Sequence, residues 1–199
     1  MSQKLNAHYW NDRYRGHRIG WDIGHPSTPL KEYIDQLGDT SLKILIPGGG
    51  NAYEAEYLFK NGFTNVWVVD VATTAKARLL QRFSDFPEAQ FLTMDFFDLV
   101  DSFDLILEQT FFCALEPAMR EAYAQKMHQL LKPRGKLVGV LFDFPLAAGP
   151  PFGGSKTEYL RYFEPRFQIE ILERCHNSIA PRQGHELFFK VQPKERGTV

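Results

Sequence analysis

The run Ile44-Leu45-Ile46-Pro47-Gly48-Gly49-Gly50, followed about twenty residues later by Val66 to Val69 and Asp70, constrains this chain more than any other feature. An apolar run that breaks into glycines reads as a buried strand entering a tight turn ahead of a helix. Glycines there admit left-handed backbone and let N–H groups approach a ligand, and the helix N-terminus adds partial positive charge. The second apolar run ends in a carboxylate able to accept both hydroxyls of a ribose. Together they describe half of a mononucleotide-binding βαβ unit and imply a nucleoside-containing cofactor.

The loop departs from a dinucleotide fingerprint. From Gly48 the register runs Gly48-Gly49-Gly50-Asn51-Ala52-Tyr53, so tyrosine stands where the third glycine of G-x-G-x-x-G belongs. Glu54 follows in the expected first helical turn. A carboxylate there repels a pyrophosphate and suits a ligand carrying an ammonium, such as the methionine end of S-adenosyl-L-methionine.

Composition narrows the class. At 199 residues with 44% hydrophobic and 14% aromatic content, the chain has enough apolar material for one domain with a sizeable core. A net charge of −1 provides no field for nucleic acid or an anionic membrane surface. Two cysteines, Cys113 and Cys175, make no disulfide framework and suit a reducing compartment. The start carries no apolar signal run and no segment reaches spanning length, so the expectation is a cytoplasmic protein of small-molecule substrate, monomeric or weakly dimeric. His8, His17, His25, His128, His176 and His185 show no repeated ligand spacing, so no metal is expected.

Element signals place the motifs. Helices are expected over 3–16 and from Pro29 to Leu37. Strands and helices then alternate: strand 43–47, helix 52–61, strand 66–70, helix 73–83, strands 90–94 and 103–108. Helix 118–132 is expected to stop at Pro133-Arg134-Gly135, before strand 136–143. Helix 155–163 precedes two alternating runs, 167–175 and 185–192, which pair readily as an antiparallel hairpin. The expected fold is α/β: a doubly wound, mostly parallel seven-stranded sheet with an antiparallel C-terminal hairpin. Residues 1–199 read as one domain, with residues 1–40 as an N-terminal helical cap.

Ligands of such sheets bind at the carboxyl ends of the parallel strands. Strand one ends in the glycines and strand two in Asp70-Val71. Strand three gives Asp95-Phe96-Phe97-Asp98, in which a carboxylate can accept an adenine amino group beside an aromatic face. Strand four gives Glu108-Gln109-Thr110-Phe111-Phe112-Cys113. Capping is the plainer role for Asp98. Cys113, in an aromatic run, reads as buried packing, and Gly153-Gly154-Ser155-Lys156 as a loop entering a helix near the site's rim. Glu32, Asp35 and Asp39 read as a solvated helix face.

Trp10-(x3)-Tyr14-(x6)-Trp21-Asp22-Ile23-Gly24, Ile46-Pro47-Gly48-(x)-Gly50, Asp70, Asp95-Phe96-Phe97 and Phe111-Phe112-Cys113-Ala114-(x)-Glu116-Pro117 resemble the thiopurine S-methyltransferase-like proteins, the plant halide/thiol methyltransferases among them. The resemblance runs from about residue 8 to the last strand. It implies S-adenosyl-L-methionine as cofactor, with Trp10, Tyr14 and Trp21 folding over it. Gly48 and Gly50 match the loop, Asp70 with Val71 the ribose site, and Asp95 with Phe96 the adenine site. Glu108 and Gln109 fall near the methionine part, where the plant enzymes have a tyrosine at the position of Gln109.

Methyl transfer from a sulfonium needs a positioned nucleophile in a dry pocket, and a thiolate or halide requires no base at that moment. No catalytic side chain is assigned. The apolar candidates for the acceptor pocket are Phe111, Phe112, Phe142 and Phe152, with Phe144 and the run Pro145 to Pro151. Phe142 stands where plant relatives have tyrosine, which weighs against halides and favours a thiol or thiopurine-like sulfur. The alternatives are a halide methyltransferase, a nicotinamide-dependent oxidoreductase, or a cofactor-binding regulator on the same fold.

Overall fold

The computed structural model describes residues 5–195. Among them, seven strands form one sheet in the order β3-β2-β1-β4-β5-β7-β6. These are β1 (Ile44–Pro47), β2 (Val66–Asp70), β3 (Phe91–Thr93), β4 (Phe103–Gln109), β5 (Leu131–Phe142), β6 (Phe167–Arg174) and β7 (Glu186–Pro193). Strands β1 to β5 are parallel, and β7 runs antiparallel between β5 and β6. The C-terminal pair expected from the alternating runs is therefore present. The strand order reverses between β1 and β4, which opens a crevice at their carboxyl ends.

Both faces of the sheet are covered, and for that reason the central strands read as unbroken apolar runs. Leu45 and Ile106 point to one core with Tyr123, Met127, Phe163 and Phe189. Ile44, Ile46, Leu105 and Leu107 point to the other, with Leu58, Leu79 and Val138. The helices are α1 (Ala7–Arg15), α2 (Thr28–Ile34), α3 (Tyr53–Lys60), α4 (Thr73–Arg82), α5 (Arg120–Leu130) and α6 (Lys156–Phe163). Asn6 and Ser155 cap α1 and α6 by accepting from Tyr9 N and Glu158 N. Gln3 and Lys4, the first positions of the expected first helix, lie outside the described residues.

Helix α2 ends at Ile34, short of the expected Leu37, and the widest boundary difference lies between α5 and β5. Helix α5 ends at Leu130 and β5 begins at Leu131, so Pro133-Arg134-Gly135 lies inside a strand instead of stopping a helix. Leu131 pairs with Phe103, and the ladder shifts register before Leu105 pairs with Lys136. Gly135 fits there because a Cβ would stand 2.9 Å from the Phe103 carbonyl oxygen. The Pro-Gly signal marks a bulge.

Candidate active site

A cavity of about 970 Å³ opens over the carboxyl ends of β1, β2 and β4, with Leu5 to His25 contributing its roof. The glycine loop forms its floor. Gly48 and Gly50 have φ of +57° and +55°, and a Cβ on Gly48 would fall inside the Phe111 ring, so only glycine fits. Asp70 shapes this loop: its Oδ2 accepts from Gly50 N at 2.9 Å and its Oδ1 from Ala72 N at 2.8 Å. Each oxygen keeps lone-pair capacity for a further donor. Burial raises the Asp70 carboxyl above its ordinary value, and the backbone N–H donors pull it back.

Val71, Asp95 and Phe96 continue the wall beyond Asp70. Asp95 accepts from Phe97 N, which fixes the turn that follows β3, while Asp98 lies exposed off the cavity. The roof is an aromatic cluster in which Trp21 meets Trp10 and Tyr14 edge to face, with ring centroids 5.4 and 5.7 Å apart. All three rings line the cavity. Asn11 anchors α1 below them, its Oδ1 accepting from Thr74 N and from the hydroxyls of Thr73 and Thr74 at the start of α4. Gln109, Phe111 and Phe142 line the opposite half.

Three expected residues stand elsewhere. Glu108 is fully buried and faces away from the cavity, its Oε1 accepting from Phe111 N and Phe112 N and its Oε2 from Tyr123 Oη at 2.6 Å. Its neighbour Gln109 takes the cavity side, because successive side chains of a strand point to opposite faces. Phe112 is in the core against Tyr123, Tyr159 and Phe163. Phe152 lines a smaller, adjoining cavity. Glu54, expected to face a ligand ammonium, does reach the wall, but its Oε1 accepts from Ser27 N at 2.9 Å. That bond ties α3 to the segment entering α2.

Sequence reasoning passed over Asp22 and Arg182. Asp22 accepts from Asn51 Nδ2 at 2.6 Å and from Gly24 N, joining the roof to the glycine loop. Its position inside Trp21-Asp22-Ile23-Gly24 was the available signal. Arg182, from the turn between β6 and β7, donates to the Trp21 carbonyl at 2.8 Å and lies 5.6 Å from the centroid of Phe142. No local pattern announces it. Cys113 is buried, with its thiol directed at Thr110 O, and burial with the nearby Glu108 raises its pKa. It is no nucleophile at neutral pH.

The site fits S-adenosyl-L-methionine on its own terms. Asn51 Oδ1 and Gln109 Oε1 are buried on the wall with no hydrogen-bond partner among the described residues. A buried orphan acceptor costs about 1–3 kcal/mol, which a ligand bringing ammonium, hydroxyl or amino donors would relieve. The family model of thiopurine S-methyltransferase (TPMT) matches residues 5–192. The chain belongs to the thiopurine S-methyltransferase family. It is 32% identical over 185 residues to the probable thiol methyltransferase 2 of Arabidopsis thaliana, covering 89% of this chain and 81% of that protein. It is 31% identical over 176 residues to thiocyanate methyltransferase 1 of Brassica oleracea, covering 83% and 76%. The fold matches the 1,6-didemethyltoxoflavin-N1-methyltransferase of Burkholderia thailandensis, solved with S-adenosylhomocysteine, at a TM-score of 0.75 and 18% identity over 98% of this chain and 93% of that one. As a member of the family the protein is an S-adenosyl-L-methionine-dependent methyltransferase with a small-molecule substrate, and the oxidoreductase and regulator alternatives are not favoured. No helix among the described residues is long and apolar enough to cross a membrane.

Proposed function

We propose that this enzyme methylates a small thiol or thiopurine-like sulfur, taken as its anion. The observation that carries this reading is Arg182, whose guanidinium is held by the Trp21 carbonyl, pairs with Glu186 at 3.4 Å and stands beside the Phe142 ring in the half of the cavity that also holds Gln109. A cation there lowers the pKa of an acceptor thiol and holds the thiolate, while Phe111, Phe142, Pro150 and Pro151 exclude water. When bound, S-adenosyl-L-methionine supplies an electrophilic methyl group on a sulfonium. In this reading Gly48 and Gly50 receive the cofactor backbone-first, Asp70 with Val71 takes its ribose, and Asp95 with Phe96 its adenine. Gln109 meets the methionine part, and Trp10, Tyr14 and Trp21 cover the sulfonium, whose charge ring faces attract. Phe111 and Phe142 form the acceptor wall.

No side chain needs to remove a proton during transfer. The thiol ionises before it reacts, so kcat/KM should rise with pH along the free acceptor's own pKa and kcat along the lower pKa of the thiol bound beside Arg182. An acceptor screen covering thiols, thiopurines, sulfide and halides, run from pH 6 to 9, tests this. An alcohol or amine as best acceptor, with a protein-derived pKa near neutrality, would overturn the sulfur assignment. Phe142→Tyr should shift relative activity toward halides by restoring the hydroxyl of the plant relatives.

The same reading takes residues 1–199 as one catalytic domain with residues 1–40 as its cap. It places the enzyme in the cytoplasm as a monomer or weak homodimer. Buried free thiols at Cys113 and Cys175 are compatible with a reducing compartment.

A further inference from the structure

Beside the main cavity lies a second one of about 350 Å³, lined in part by Tyr9, Glu116, Pro117, Pro150 and Phe152. Leu5, Glu116 and Pro150 belong to both, so the smaller space is an annex of the larger. Its place in the fold decides which half it serves. Asp70 ends β2 and Asp95 follows β3 on one side of β1, whereas Glu116 and Pro150 follow β4 and β5 on the other. The annex opens from the half that holds Phe142, away from Asp70 and Asp95.

Its chemistry is uneven. Tyr9 and Phe152 provide ring surfaces and the prolines more apolar wall. Glu116 is the one acidic or basic side chain among the described residues that line the annex, and it is exposed at the junction. Among the described residues no hydrogen bond or ion pair engages its carboxylate, although its own carbonyl is fixed by Met119 N at 2.7 Å. The next cation in sequence, Arg120, is committed to Glu158 and to the Gly153 carbonyl. An exposed carboxylate at the junction of the two cavities, with no side-chain partner among the described residues, is open to a cationic or N–H-donating group on whatever spans them.

We propose that the annex binds the non-reacting part of the acceptor, and that Glu116 selects acceptors whose apolar body carries an ammonium or amine. This rests on the sulfur-methylating reading and extends it: the substrate is an aminothiol with a flat or extended apolar body, not a bare anion. Glu116 is then a specificity-determining residue, while Tyr9 and Phe152 sandwich the body.

Three aryl thiols of matched size test it: 4-(aminomethyl)thiophenol, 4-methylthiophenol and (4-mercaptophenyl)acetate. The wild-type kcat/KM should fall in that order. Glu116→Gln should reduce the cationic thiol about fivefold, the scale of one partly exposed ion pair, raise the anionic one, and leave the neutral one within about twofold. Calorimetry should give the same loss in affinity for the methylated product, 4-(methylthio)benzylamine. Phe152→Ala should raise KM for all three aryl thiols by more than it raises KM for hydrogen sulfide. Turnover of all three without a charge order, or a charge order that survives Glu116→Gln, overturns the assignment of Glu116 while the sulfur reading stands. Absence of turnover with every thiol overturns both.

Discussion

Glutamine in place of Glu108 would separate the charge of that side chain from its shape. The carboxylate is fully buried and accepts from two backbone N–H groups, at 2.8 and 3.0 Å, and from the Tyr123 hydroxyl at 2.6 Å. Burial dominates and pushes its pKa up to about 7 from an ordinary 4.5, with the three donors pulling the other way. Between those two values the folded protein holds a proton that the unfolded chain has released. The contribution of Glu108 to stability is therefore fully present below pH 4.5 and is lost as pH rises through 7. The interval between the two pKa values corresponds to about 3 kcal/mol.

Glutamine cannot titrate. Its carbonyl can still accept from Phe111 and Phe112, and its amide can donate to the Tyr123 oxygen. The stability of Glu108→Gln relative to wild type should thus rise by about 3 kcal/mol from pH 4.5 to pH 8, mostly between pH 5 and 7.5. Urea unfolding of both proteins at pH 5, 6, 7 and 8 measures this. The carboxyls lowered by hydrogen bonds and lysine or arginine partners, such as Glu56, Asp104 and Glu170, act equally in both proteins and cancel in the difference. A difference independent of pH, or one that shrinks as pH rises, would refute the claim that desolvation governs Glu108.

Asp70→Ala should weaken S-adenosylhomocysteine binding about thirty- to hundredfold by calorimetry, since it removes a charge-assisted acceptor. It should also lower Tm, because Gly50 N and Ala72 N lose their partner, and Asp95→Ala should be milder on both counts. Gly48→Ala should abolish cofactor binding, because the new methyl both occupies the Phe111 ring position and resists a φ of +57°; an unchanged affinity would mean that the loop re-forms at no cost. Limited proteolysis between Arg15 and Gly24 should slow when S-adenosylhomocysteine is added, as expected of a lid drawn from the low-stability part of a structure; equal rates would leave Trp10 and Trp21 as ordinary packing.

The half of the cavity proposed for the cofactor was legible as a cluster of strand ends because its signals are local. A glycine turn, an acid at the end of the next strand and an Asp-Phe pair after the third each declare a strand end, and a parallel sheet brings strand ends together. The misplacements have equally local causes. Glu108 and Gln109 are neighbours in one strand and cannot share a face, so assigning both to the cavity contradicted the period of two. Phe111 and Phe112 present the same conflict, resolved by Phe112 entering the core with Tyr123 and Tyr159. Glu54 had the right location and a different employment, since Ser27 N claims its Oε1. Helix α5 stopped early because pairing of Leu131 with Phe103 outweighed a Pro-Gly stop signal.

The half proposed for the acceptor was legible only in part: Phe111, Phe142, Pro150 and Pro151 were expected and line the cavity, whereas Arg182 was not. Phe142 comes from the end of β5, Pro150 and Pro151 from the loop after it, Glu116 from the segment after β4, and Arg182 from the turn before β7. None of these positions constrains another through sequence spacing; only the closed sheet brings them together. Arg182 further depends on the cap, because its guanidinium is held by the Trp21 carbonyl. Such an assembly can change one residue at a time without disturbing the glycine loop or Asp70, whose geometry is self-contained. In this chain substitutions at Phe142 and Glu116 should alter which sulfur compound is methylated before they alter affinity for the cofactor, whereas substitution of Arg182, tied to the Trp21 carbonyl, should alter both.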